Sequence, residues 1–88
     1  MESTWLKCSS VSQGMLPGEY TIVTSTSDGR EFSLFAPAQY VNPEKRLMLV
    51  TVLERGAGAA LVYLPANPLE LIGRTVRVSS GEIVWLKW

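Results

Sequence analysis

Apolar and polar residues alternate over short stretches of this chain, and glycine, proline or asparagine interrupts the alternation at regular intervals. The interruptions fall at Gly14, Pro17-Gly18, Asp28-Gly29, Pro37, Asn42-Pro43, Gly56, Gly58, Pro65, Asn67-Pro68, Gly73 and Gly81. The segments between them are rich in Val, Thr, Ile, Phe, Tyr and Trp, whose branched or flat side chains suit a pleated, half-buried surface. No window holds a helical period over three turns. Short strands at even spacing predict an all-β fold, a small antiparallel barrel or rolled sheet of about six or seven strands. An SH3-like architecture is the first expectation, and an OB-like barrel or a sandwich the second.

The strongest local signal is the hairpin around Asp28-Gly29. Asp-Gly favours a two-residue turn with positive φ at both positions. Such a turn sets Val23 opposite Leu34, Ser25 opposite Phe32 and Thr21 opposite Ala36, and this face is expected to meet the core. Ile22, Phe35, Thr24, Ser33, Thr26 and Glu31 then share the other face. A second hairpin joins 46–54 to 59–64 through Arg55-Gly56-Ala57-Gly58, which reads as a hairpin tip. A third is expected across Ser80-Gly81, with Val78 opposite Ile83, Val76 opposite Trp85 and Arg74 opposite Lys87. Trp85 alternates with Ile83 and is expected in the core. Residues 4–11 read as a further strand with Trp5 and Val11 on one face.

Single-turn helices fit two places. In Asn67-Pro68-Leu69-Glu70-Leu71-Ile72-Gly73 the Asn can cap, Pro sits at the first helical position, Glu70 completes a capping-box spacing and Gly73 stops the turn. Residues 37–42 form the other, followed by a turn at Asn42-Pro43-Glu44-Lys45.

The strand before the second tip is apolar on both sides. Leu47, Leu49 and Leu53 share one face with Thr51, and Met48, Val50 and Val52 share the other. A strand loaded on both faces needs cover on both, and a small domain has little to spare. Met48, Val50 and Val52 are therefore candidate interface residues. Leu86 and Trp88, on the last strand, join them, since an apolar edge needs a neighbour.

Composition narrows the chemistry. The chain has 88 residues, which is one domain spanning 1–88, and a formal net charge of zero. It contains no histidine and a single cysteine. Without histidine no Ser-His-Asp or Cys-His arrangement exists, and no Cys/His cluster is available for zinc. Asp28 reads as turn chemistry and Cys8 as a buried structural residue beside Leu6. No phosphate-binding glycine motif occurs. The expectation is therefore a protein that is not an enzyme, with no catalytic residues, no metal and no cofactor. The N-terminal residues lack a basic region and an apolar run, so no signal peptide is read and the expected location is cytoplasmic. No run approaches the ~20 apolar residues of a membrane helix.

Zero net charge is a cancellation. Residues 1–44 carry two basic and five acidic side chains, a balance of −3. Residues 45–88 carry six basic and three acidic, a balance of +3. If the basic half contacts nucleic acid, Arg74, Arg77 and Lys87 are the phosphate-binding candidates.

The tail carries a partial resemblance. Leu64-Pro65, then Leu69-Glu70-Leu71-Ile72-Gly73, then Val76-Arg77-Val78-Ser79-Ser80-Gly81-Glu82-Ile83-Val84 resembles the swapped-hairpin domain of AbrB-type transcription regulators. In that family a strand ends in Ile-Pro or Leu-Pro, a short helix ends at Leu-Gly, and Gly-Asp introduces the last strands. Here the helix is cut to one turn and Gly-Asp is absent. The resemblance spans about a quarter of the chain and implies an intertwined DNA-binding dimer.

The leading expectation is a non-enzymatic interaction module, homo-oligomeric or an accessory subunit of a larger complex, whose partner is itself or another protein. A nucleic-acid-binding β-barrel or AbrB-like dimer is the alternative. A small-ligand binder is the third reading.

Overall fold

A computed structural model of the chain describes residues 2–87, with side chains for 3–86. The described residues form nine strands in two antiparallel sheets, with two 3₁₀ turns and no α-helix. The strands are β1 Glu2–Lys7, β2 Ser10–Gln13, β3 Glu19–Ser25, β4 Glu31–Pro37, β5 Val41–Asn42, β6 Leu47–Gly56, β7 Ala59–Tyr63, β8 Thr75–Ser79 and β9 Ile83–Lys87. The large sheet runs β8-β7-β6-β1-β9, with β5 also paired to β6. The small sheet runs β2-β3-β4. The all-β expectation holds. The strand count exceeds six or seven, and no barrel closes, because β8 and β9 do not pair.

That last point corrects the third hairpin. Residues 80–82 form a 3₁₀ turn, after which β9 crosses to pair with β1 while β8 pairs with β7. Consecutive strands thus form opposite edges of one sheet. The expected strand 4–11 is likewise divided. The chain leaves the large sheet after Lys7 and enters the small one at Ser10, held by Cys8 N–H to Arg46 O at 2.9 Å and Ser9 N–H to Val23 O at 2.8 Å.

The first hairpin sits one residue away from the expected register. Ile22 pairs with Leu34, Thr24 with Phe32 and Tyr20 with Ala36. The loop has three residues, Ser27-Asp28-Gly29, closed by Thr26 N–H to Arg30 O at 2.8 Å. Only Gly29 takes positive φ, at 87°. The Thr26 hydroxyl accepts from Arg30 N–H at 3.0 Å and donates to the Asp28 carboxylate, which stabilises this longer loop. A one-residue slip turns one strand over against its neighbour, and here that strand is β3, while Phe32, Leu34 and Ala36 of β4 face the core as expected. Ile22, Thr24, Phe32, Leu34 and Ala36 are accordingly buried, whereas Val23 and Ser25 are only half-buried.

One core is drawn from both sheets. Leu6, Met48, Val50, Val62, Val76 and Val78 of the large sheet meet Ile22, Phe32, Leu34 and Ala36 of the small one. Thr24 is the buried polar exception, and its hydroxyl donates to Lys7 O at 3.2 Å. Met48 and Val50 therefore do not stand on an outer face. The strand's outward residues are Leu49, Thr51 and Leu53, half-buried or exposed. Val52 is half-buried and packs against the core.

The helix expected at 67–73 does not form. These residues make bends, with Gly73 at φ 81°. Glu70 explains the difference: its carboxylate accepts from Ser33 N–H at 2.7 Å and Ser33 Oγ at 2.8 Å across the molecule. It is thereby unavailable to cap a helix of its own. The short helix implied by the AbrB-type resemblance is thus absent. The turn at Ala38–Tyr40 does form, as 3₁₀. Lys45 N–H donates to Asn42 Oδ1 at 3.1 Å, closing the expected turn after it. No helix among the described residues is long and apolar enough to cross a membrane.

Candidate functional site

The free sheet edges decide which backbone can bind something else. An uncovered strand presents unpaired N–H and C=O groups to any extended chain. Three edges are short or covered. On β8, Arg77 O accepts from Ser27 N–H at 2.9 Å, so the tip of the first hairpin lies against it. On β4, Leu69 N–H donates to Ser33 O at 2.8 Å and Glu70 takes the Ser33 donors. β2 is four residues long and mostly exposed. β9 is different. Among the described residues no backbone hydrogen bond reaches its outer side, and its sequence is Ile-Val-Trp-Leu-Lys.

Both faces beside this edge are apolar. On the outer face, register sets Val84 beside Trp5 and Trp5 beside Leu49, with Leu86 next to Ser3. All four apolar members are half-buried. Trp5 Nε1–H is satisfied locally, by Ser3 Oγ at 2.9 Å. On the core-facing side, Ile83 pairs with Leu6 and Trp85 with Thr4. Trp85 is 46% exposed, against the expectation that it lies in the core.

What covers part of Trp85 is Arg55, brought there by a bulge. In the β6–β7 pair Thr51 is opposite Tyr63 and Val52 opposite Val62, but Glu54 is opposite Leu61 and Arg55 opposite Ala60. Leu53 is the additional residue, and it is exposed. Cross-strand partners share a face, so Arg55 lies on the side of buried Ala60. Unbroken alternation would have left it outside with Leu49 and Thr51. A bulge re-aims the side chains that follow it. The Arg55 guanidinium carbon lies 3.9 Å from the centroid of the Trp85 ring. Together with Val52, Gly56, Ala59, Ser80 and Ile83 the pair encloses a cleft of about 250 Å³. Arg55 makes no hydrogen bond or ion pair among the described residues.

The other cations are placed differently. Arg74 is half-buried and committed: its Nε and Nη2 donate to Leu64 O at 3.1 and 3.0 Å, and it lies 4.6 Å over Tyr63. Arg77 is exposed on β8 opposite Leu61. Lys87 ends β9 opposite Glu2, and its side chain is outside the described residues, as is Trp88 altogether. Arg74, Arg77 and Lys87 therefore do not converge on one described surface. By sheet, residues 10–37 carry three acidic and one basic side chain, −2. The remainder carries seven basic and five acidic, +2, so the body that holds β9 is the positive one.

Chemically reactive groups are few. Cys8 is buried, its thiol donates to Leu6 O at 3.4 Å, and burial pushes its pKa up to about 12. The Asp28 carboxyl is held below its ordinary value, chiefly by the Thr26 hydroxyl. No group of three or more potential metal ligands occurs among the described residues. Arg55 and Trp85 escaped the sequence reading, since one belonged to a hairpin tip and the other to an expected core. The available signal was the sequence Leu53-Glu54-Arg55, where alternation fails before the turn. Comparison with known proteins finds no matching family model, no matching curated protein and no matching solved structure.

Proposed function

We propose that this chain is a non-enzymatic interaction module that joins its partner along β9. The uncovered edge of β9 carries the reading: five residues of strand with apolar side chains on both faces and no backbone partner on one side. Trp5, Leu49, Val84 and Leu86 extend it as a continuous apolar outer surface. Leu86 was among the expected interface residues, and Trp5, Leu49 and Val84 take the place of Met48 and Val50. The Cys8 thiol, with its pKa pushed up to about 12 by burial, is a poor nucleophile.

The test is amide hydrogen exchange on the isolated chain, run beside sedimentation velocity. An open edge gives alternating protection along 83–87: amides turned toward β1 exchange slowly, and those turned outward exchange quickly. In a complex or a dimer the outward amides become protected. Leu86→Lys and Val84→Lys are expected to release the partner with the fold retained. Uniform slow exchange along β9 in a chain that sediments as a monomer would show an edge already covered, and the proposal would fall.

A further inference from the structure

We infer that the occupant of the β9 edge is an extended acidic segment of another protein, added as a strand, with one carboxylate seated on Arg55 in the Trp85 cleft. This rests on the edge-binding reading above and goes beyond it by naming the partner's chemistry. In strand addition the main chain supplies affinity, and pockets for alternate side chains supply selectivity. Side chains of an added strand point alternately to the two faces of the sheet. Every second one therefore falls on the face of Ile83 and Trp85, beside the cleft. The cleft, at about 250 Å³, lies below the roughly 300–1,000 Å³ of cofactor and ligand pockets. It has room for one side chain.

Arg55 selects which side chain. Its guanidinium carbon lies over the Trp85 ring, 3.9 Å from the centroid. Stacking of this kind uses the face of the guanidinium and leaves its in-plane N–H groups free. None of them is used by a described residue, and a planar cation with an open fork suits a carboxylate. Gly56, Ala59 and Ala60 form a small-residue floor, which lets a carboxylate come close without displacing other side chains. The +2 balance of the body that carries the site favours the same partner.

Charge also argues against self-pairing. Two copies joined edge to edge by β9 would set two Arg55–Trp85 clefts on one continuous sheet. Glu82, the nearest acid to β9 in sequence, lies in the 3₁₀ turn outside the strand and makes no ion pair with Arg55. Among the residues whose side chains are described, β9 itself then brings no carboxylate to either cation.

The experiment uses the full chain and two synthetic octapeptides of alternating Val and Glu or alternating Val and Gln. The readouts are calorimetry and amide exchange at 83–87. The Glu peptide is expected to bind, to protect the outward β9 amides, and to weaken as salt is added. The Gln peptide is expected to bind at least tenfold more weakly. Arg55→Gln removes that tenfold preference, while Arg55→Lys keeps part of it through charge without the fork. Equal affinity for the two peptides, or no loss in Arg55→Gln, overturns the inference. So does protection of β9 by self-association that the Glu peptide fails to displace, although edge binding itself then stands. Outward amides that neither millimolar peptide nor a second copy protects overturn both readings.

Discussion

Ile22 and Val23 are adjacent, and the register of the first hairpin decides which of them holds the core. Ile22 is fully buried opposite Leu34, whereas Val23 is half-buried opposite Ser33. Ile22→Ala removes three carbon groups, worth about 2.4 kcal/mol at ~0.8 kcal/mol each. A cavity walled by Phe32, Leu34 and the large sheet adds to this, so the expected loss is about 3–4 kcal/mol. Val23→Ala removes less material from a site that water already reaches, and about 0.5–1 kcal/mol is expected. A chain of this length has about 4–13 kcal/mol in all, so Ile22→Ala should lower Tm by roughly 12 °C or more and Val23→Ala by only a few degrees. Urea titration of both variants, followed by tryptophan fluorescence, measures the difference directly. A two-residue Asp28-Gly29 turn would reverse the order. Val23→Ala costing as much as Ile22→Ala would therefore refute the three-residue loop and the face assignment built on it.

Gly14→Ala would place a methyl carbon 2.7 Å from Glu19 O, a backbone atom, and should cost about 1–3 kcal/mol in urea titration; Gly81→Ala, which meets nothing within 4 Å, should stay within about 0.5 kcal/mol. The Glu70 carboxyl is held below its ordinary value of 4.5, chiefly by Ser33 N–H and then by its hydroxyl. A carboxylate with a depressed folded pKa stabilises above the unfolded value and ceases to do so as pH falls through the folded one. The Ser33 amide resonance should accordingly move only below pH 4.5, reporting release of the 65–73 segment, and a midpoint at or above 4.5 rejects the contact. Cys8, with its thiol pushed up to about 12, should react with a disulfide reagent at pH 8 only as fast as the chain unfolds. Rapid labelling without denaturant would show that it is reachable in the native fold.

The all-β class was legible because alternation at period two reports sheet faces directly, and the turn residues marked most strand ends. Registers were not. Asp28-Gly29 is compatible with a two-residue and a three-residue loop, and the Thr26 hydroxyl, through Arg30 N–H and Asp28, settles which one forms. That single residue turns over every side chain of β3, while Phe32, Leu34 and Ala36 of β4 keep the core face expected of them. The interface candidates suffered similarly. Met48 and Val50 shared a face with Val52, as expected, but nothing in the alternation says which face meets the second sheet. Glu70 had the spacing of a capping residue, and its real acceptor role depends on Ser33, 37 residues away in sequence. The Arg55–Trp85 pair was hidden for a comparable reason. Its two members are 30 positions apart, and an unpaired Leu53 decides the side on which Arg55 emerges.

The position of β1 between β6 and β9 has a kinetic consequence. The small sheet and the β6–β7 hairpin close over short loops, whereas β1 must find one strand about forty residues later and another about eighty later. Loop-closure entropy makes such pairings late in folding, and sheets dominated by them form on the order of milliseconds to seconds. Among the described residues β1 is the one strand paired with β9, so its docking is expected to be the final step and its detachment the cheapest partial unfolding. The strand that offers the binding edge is then also the one whose presence is most finely balanced. A partner that captures β9 would stabilise the closing of the large sheet itself.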